Sequence, residues 1–360
     1  MKKRKIILTG GGTAGHCVPN LALVPTLKEY DFDIAYIGSH TGIEKKLVAA
    51  EGIKYYSIST GKLRRYFDLK NFTDPFRVLK GFAEAYSILR SEKPDIIFSK
   101  GGFVSVPVVK AASLLHIPVI IHESDMTPGL ANKLSYGAAS KICCSFRETA
   151  QYIPSSKAVF TGSPVREELK NGDRGRAYAF THLKRGELPT ILVVGGSLGA
   201  QHVNEAVRHL LPKLLPNYNV VHLCGKGKLD QSYIGTDNYV QYEYISNEMA
   251  DLFAMADIII SRAGANAIFE LLALRKPNIL VPLPLAGSRG DQIKNAESFK
   301  KAGYSYVLKD EDLSDETLMQ AINTVKDNMI DYVEAMENAD ESDAVDTICE
   351  LIDKTASNKK

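Results

Sequence analysis

Twice in this chain a short β-branched run passes straight into clustered glycines: KIILTGGGTAGH at 5–16 and TILVVGGSLGAQ at 190–201. Glycine weakens any strand or helix it interrupts, so such clusters need a reason. The usual one is a strand-end turn whose backbone closely approaches a ligand, most often a phosphate. The parallel continues. PDIIFSKGGF at 94–103 matches ADIIISRAGA at 256–265, and IPVIIHESD at 117–125 matches KPNILVPLP at 276–284, in the same order. This is an internal duplication. In both halves short apolar runs alternate with helical patterns, the signature of βαβ units and a parallel sheet. One large doubly wound sheet would satisfy that alternation. Two copies of the glycine-after-strand pattern favour an α/β chain of two Rossmann-like domains, and 360 residues suffice for both.

Gly162 and Pro164 break the pattern within VFTGSPVREEL, which places the domains at 1–163 and 164–339. Residues 340–360 read as a helical tail that packs back on the first domain. Apolar residues are 45%, charged residues 24% and the net charge is +2, values that fit a globular protein and do not argue for nucleic acid. The five cysteines show no CxxC and no metal spacing, so they read as free thiols in a reducing compartment. MKKRKIIL is too short in its apolar run for a signal peptide, and no run approaches a membrane span. The expected location is cytoplasmic, with contact to a membrane surface left open.

In a parallel sheet, ligands bind beyond the carboxyl ends of the strands. The glycines at 10–15, 101–102, 195–199 and 264 all fall there, as does HESD at 122–125. GGGTAGH can be fitted to GxGxxG, but the second strand, IAYIG, ends in Gly38, Ser39 and His40, with no carboxylate for a ribose. That counts against a dinucleotide. GxxxxGK[ST] is absent. The Asp-x-Asp pairs, Asp31-Phe32-Asp33 and Asp310-Glu311-Asp312, read as solvated charge, so no metal site and no cofactor is expected.

GGGTAGH, HESDMTPGLANK (122–133), GSPVR (162–166), GGSLGA (195–200), RAGANAIFELLALRKPNILVPLP (262–284) and GDQIKNA (290–296), in this order and spacing, resemble the MurG family over essentially the whole chain. The resemblance implies a GT-B architecture, two Rossmann-like domains facing across a cleft. It also implies a metal-independent inverting transferase. That enzyme moves N-acetylglucosamine from UDP-N-acetylglucosamine to the 4-hydroxyl of an undecaprenyl-diphospho-N-acetylmuramoyl-peptide in peptidoglycan synthesis, at the cytoplasmic face of the membrane. Donor contacts carried over by position are Thr13, Ala14, Gly15, Asn132, Arg166, Ser197, Ile245, the segment Ala265, Asn266, Ala267, Ile268, Phe269, Glu270, and Gln292. Asp125 stands where many relatives have a sugar-contacting asparagine, and Ala14 where many have glycine.

Glu270 lies one and a half turns into a helix that starts near Gly264. Its apolar neighbours indicate a largely buried helix, where a carboxylate is rare without a partner such as a pair of ribose hydroxyls. The alternative is a solvated helix glutamate. His16 is the leading general base, since imidazole titrates near working pH. Helix capping by His16 is the competing role, Glu123 and Asp125 are rival bases, and His122 can be structural. Basic and aromatic residues interleave at Arg64, Arg65, Tyr66, Phe67, Lys70, Phe72 and Phe76, which suits docking on an anionic membrane surface next to the lipid acceptor. Two other classes share some of these features: a UDP-sugar epimerase of GT-B type, and a non-catalytic scaffold that recruits a partner to membranes.

Overall fold

The computed structural model describes residues 3–61, 70–196, 199–339 and 343–358. The chain divides into two compact units, Met1–Arg166 with Glu341–Lys360, and Glu167–Asp340. The first unit holds β1 (Arg4–Thr9), β2 (Phe32–Ser39), β3 (Lys54–Ile58), β4 (Ile96–Ser99), β5 (Val119–Glu123), β6 (Lys141–Cys144) and β7 (Ala158–Phe160). They form one sheet in the order β3-β2-β1-β4-β5-β6-β7, and every pair is parallel. The second unit holds β8 (Thr190–Val194), β9 (Asn219–Leu223), β10 (Tyr239–Tyr242), β11 (Ile258–Ser261), β12 (Asn278–Leu280) and β13 (Tyr306–Val307). Its order is β10-β9-β8-β11-β12-β13, again all parallel. The runs that open the repeat, KIILT and TILVV, are therefore equivalent central strands.

Continuous apolar runs are needed because helices cover both faces of a parallel sheet. Along β1, Ile6 and Leu8 enter one core layer with Phe98, Ile348 and Ile352, while Ile7 enters the other with Val108 and Ile121. Burial of each such side chain contributes about 1.5–3 kcal/mol. The helix Ala344–Ser357 belongs to the first layer. Asp343 caps it by accepting from the amides of Val345 and Asp346, and Asp353 pairs with Arg4 at the start of β1. In the second unit, Ile191, Val193, Ile258 and Ile260 pack with Val203, Val207 and Leu210 of the helix Gln201–Leu214.

Strand order reverses between β1 and β4 in one sheet and between β8 and β11 in the other. These switch points open a crevice at the strands' carboxyl ends, and the glycine clusters lie there. Among the described residues, no helix is long and apolar enough to cross a membrane. All five cysteines are buried and free.

Candidate active site

The turn after β1 is held from beneath. Tyr36 donates to the carbonyl of Gly10 at 2.7 Å, and the buried Asn20 amide donates to the Thr9 carbonyl at 3.1 Å. Glu44, in the first turn of the helix Ile43–Ala50, is 0% exposed. Its carboxylate accepts from the amide of Gly12 at 3.2 Å, the amide of Ser39 at 3.0 Å and the hydroxyl of Ser39 at 2.5 Å. A Cβ on Gly11 would stand 2.6 Å from that carboxylate, so this glycine is required by space rather than by dihedral angle. Gly102, at φ +81°, comes from the turn after β4. A Cβ there would meet the Gly11 carbonyl at 2.5 Å and the His16 ring at 3.1 Å. The two turns thus touch through bare backbone.

His16 ends the short 3-10 segment Ala14–His16 and is half-buried. Its Nδ1 lies 3.3 Å from the carbonyl of Lys100. A carbonyl only accepts, so Nδ1 carries the proton and Nε2 the lone pair. Lys100 itself is buried, and its Nζ donates to Nδ1 of His122 at 2.7 Å. His122 Nε2 donates to the Gly162 carbonyl at 2.9 Å. Burial pushes the Lys100 ammonium down to about 7 and, with the Lys100 charge, holds His122 neutral, well below the usual imidazole range. His122 is accordingly structural. Glu123 at the end of β5 is pushed up to about 7 by burial. Oε2 accepts from Asn132 Nδ2 at 2.9 Å and the Gly129 amide at 3.0 Å, and Oε1 from the Asp125 amide at 3.3 Å. Both oxygens shape the loop that carries Asp125, which is half-buried.

In the second unit Gly264 caps the helix Ala265–Ala273, so the amides of its first turn face the strand ends. Ile268 and Phe269 are buried, Asn266, Ala267 and Glu270 half-buried. Gln292 accepts from the Leu283 amide at 3.1 Å, and its Nε2 lies 4.0 Å from where a Cβ on Gly264 would stand. Asn295, in the same helix Asp291–Lys301, donates to the Ala263 carbonyl. Gln292 and Asn295 thus bring the helix Asp291–Lys301 against the Gly264 turn. Ile245, in the segment after β10, is buried, and its neighbour Tyr244 is exposed.

Arg166 closes the first unit with its Nε buried and without a hydrogen-bond partner among the described residues. Thr13 is exposed, and Ala14 and Gly15 are half-buried. Ser197, Arg64, Arg65, Tyr66 and Phe67 lie outside the described residues. Lys70 and Phe72 fall within the helix Lys70–Glu92, where Phe76 and Leu79 are 77% and 69% exposed. One expectation is corrected. Asp310 is not solvated charge. It is buried, accepts from Arg262 and lies 2.8 Å from His202 Nδ1. Burial opposes its charge, but those two hydrogen bonds outweigh burial and hold its carboxyl below the usual range. The Asp-x-Asp spacing carried no hint of this, because the partners lie 48 and 108 residues away. Glu44 was also missed, as nothing in GIEKK marks a buried acid. Lys100 and Arg262 did carry a signal. They occupy the same place in the repeated segments FSKGG and ISRAG.

Two Rossmann-like units with glycine turns at their switch points define the GT-B fold class. The chain matches the glycosyltransferase family 28 N-terminal domain over residues 6–144 and the family 28 C-terminal domain over residues 190–351. A curated UDP-N-acetylglucosamine--N-acetylmuramyl-(pentapeptide) pyrophosphoryl-undecaprenol N-acetylglucosamine transferase from Lachnoclostridium phytofermentans is 59% identical, covering 98% of this chain and 99% of its own. The crystal structure of Acinetobacter baumannii MurG aligns with a TM-score of 0.75 at 28% identity, over 98% of this chain and 99% of that one. The chain belongs to glycosyltransferase family 28, and within it to the MurG family. A UDP-GlcNAc 2-epimerase from Neisseria meningitidis, bound to UDP-GlcNAc, aligns at TM-score 0.70 over 99% of this chain and 100% of that one. At 15% identity it shares the fold alone.

The buried Lys100 sets a pH dependence. Its folded value of about 7 lies below the unfolded 10.5, so between these pH values only the unfolded chain holds the proton. Stability therefore rises with pH across that window. Lys100→Met should remove this slope. In urea unfolding the variant should be more stable than the parent chain at pH 7, with the gap closing toward pH 10.

Proposed function

We propose that the chain transfers N-acetylglucosamine, with inversion, from UDP-N-acetylglucosamine to the 4-hydroxyl of undecaprenyl-diphospho-N-acetylmuramoyl-peptide. The observation that carries this reading is the 59% identity, over nearly both full lengths, to a transferase named for that activity. In this reading the second unit takes the donor. Diphosphate oxygens accept from the first-turn amides of Ala265–Ala273, where the helix end is positive. Glu270 accepts both ribose hydroxyls, the Ile245 backbone reads uracil, and Gln292 turns its amide NH₂ to the sugar. The Arg166 guanidinium, whose buried Nε has no hydrogen-bond partner among the described residues, supplies a cation for charge developing on the departing UDP. No step calls for a metal.

The first unit takes the acceptor. His16 accepts the proton of the attacking hydroxyl at Nε2, and the Lys100 carbonyl holds the resulting imidazolium at Nδ1. Glu123 shapes the loop beside it rather than taking the proton, since it is buried and turned into that loop, where three donors hold its oxygens. The segment 62–80 docks this unit on an anionic leaflet. Exposed Phe76 and Leu79, one helical turn apart, support this, with Arg77 and Lys80 beside them.

Incubation with UDP-N-acetylglucosamine and a short-chain lipid acceptor should release UDP and yield disaccharide, with or without EDTA. UDP-N-acetylmannosamine formed without acceptor would instead mark an epimerase. His16→Ala should lower kcat by about 10²-fold or more, with donor KM little changed. A rise in donor KM alone would make His16 a binding residue. For the membrane face, changing Arg64, Arg65 and Lys70 to glutamate together should abolish sedimentation with anionic liposomes and leave UDP binding intact, since each basic residue contributes about 1 kcal/mol at such a surface. Unaltered sedimentation would remove this segment from the docking surface.

A further inference from the structure

Beneath the first glycine turn, two buried side chains hold consecutive carbonyls. Tyr36, on β2, donates its hydroxyl to the carbonyl of Gly10 at 2.7 Å. Asn20, in the helix Val18–Ala22, donates from Nδ2 to the Thr9 carbonyl and to the Tyr36 oxygen, each at 3.1 Å. The same Nδ2 lies 3.5 Å from the His16 carbonyl. Both residues are 0% exposed. Burial pushes the Tyr36 phenol well above its usual range, so its hydroxyl remains a donor.

The residues that bear these carbonyls are the seat of His16. The Thr9 carbonyl also accepts from the Lys100 amide at 3.0 Å, and the carbonyl of the same Lys100 faces His16 Nδ1 at 3.3 Å. A Cβ on Gly10 would collide with the His16 carbonyl, so the His16 backbone rests directly on that glycine. His16 is thus located by its ring through Lys100 and Thr9, and by its backbone through Gly10. Asn20 is a poor choice here for stability alone. Its Oδ1 is buried without a hydrogen-bond partner among the described residues, which is unfavourable. An apolar side chain of similar size would avoid that cost. It would leave neither neighbour unpaired, since Thr9 keeps the Lys100 amide and Tyr36 keeps the Gly10 carbonyl. What the amide adds is geometry, and a general base depends on geometry.

We propose that Asn20 and Tyr36 are positioning residues for the general base: joined to each other, they hold the Thr9 and Gly10 carbonyls and so fix the seat of His16. The inference rests on the reading of His16 as that base. An internal control exists. Asn219, the first residue of β9 in the other unit, is also buried and also donates to a backbone carbonyl, that of Leu188 at 3.3 Å. It lies at the amino end of its strand, away from both glycine turns.

The test is a double-mutant cycle with His16 on the full chain, assayed with UDP-N-acetylglucosamine and a short-chain lipid acceptor, with UDP calorimetry and thermal melting beside it. Tyr36→Phe, which removes one oxygen, and Asn20→Ala should each lower kcat about 10-fold. Donor KM and UDP affinity should stay within about twofold. In a His16→Ala background each should change kcat by less than about twofold, because the group they position is gone. Asn219→Ala should keep kcat within about twofold of the parent. Nitrogen NMR of the His16 ring should show the Nδ1–H tautomer in the parent and a mixture of tautomers in Tyr36→Phe and Asn20→Ala. Parental kcat in both variants would overturn the proposal. So would an equal fall in kcat with and without His16, or an equal fall in Asn219→Ala, since either reduces the effect to general stability. An Nε2–H tautomer in the parent would overturn it too. If Tyr36→Phe does not fold, Asn20→Ala decides by the same cycle. Parental kcat in His16→Ala would instead overturn the base assignment, a separate failure.

Discussion

A buried carboxylate needs donors, and Glu44 finds them in Ser39 at the end of β2 and in the backbone of the first glycine turn. An acidic group taken out of water without compensation is strongly unfavourable. Here the Gly12 amide and both donors of Ser39 surround it, and Gly11 leaves it room. The turn is thereby shaped before any ligand arrives. Gly102 then packs bare backbone against Gly11 and the His16 ring, and the Lys100 carbonyl fixes the imidazole tautomer. The chemistry assigned to His16 depends on this chain of contacts, since a general base is useful only when its lone pair is aimed.

The same constraint separates two halves that look duplicated. In the first unit an internal anion already holds an amide of the glycine turn, so the turn serves as a mount for a side chain. In the second unit the Gly264 turn opens a helix whose leading amides face the strand ends. Each unit also buries one cation directly after its fourth strand, Lys100 in one and Arg262 in the other. Lys100 is matched by a neutral histidine, and burial pulls its pKa down. Arg262 is matched by Asp310, which keeps a full ion pair under the second crevice. In the proposed function, one side of the duplicated scaffold moves a proton and the other holds a diphosphate.

Much of this was legible in the sequence. Strand-length apolar runs followed by glycine revealed the parallel sheets and the glycine turns at their carboxyl ends, because covered strands must be apolar throughout and glycine permits such close turns, whereas the strand order and its switch points came only with the structure. The helix start at Gly264 and the burial of Ile268, Phe269, Leu271 and Leu272 along it were legible from helical spacing. What the sequence hid were groups whose meaning comes from distant partners. Glu44, Lys100 and Asp310 are ordinary charged residues along the chain and become buried only when strand order brings Gly12, His122, Arg262 and His202 to them. Burial of a charge is a tertiary fact. The place of Lys100 and Arg262 within the repeat was the one trace it left.

The central claim is that the two glycine turns do different work. A crystal structure of the chain with UDP-N-acetylglucosamine tests it directly. The account predicts the diphosphate at the amides that open Ala265–Ala273, the ribose on Glu270, and the Gly12 amide still bound to Glu44. A diphosphate seated on the Gly10–Gly15 turn, with Glu44 displaced from Gly12, would contradict it.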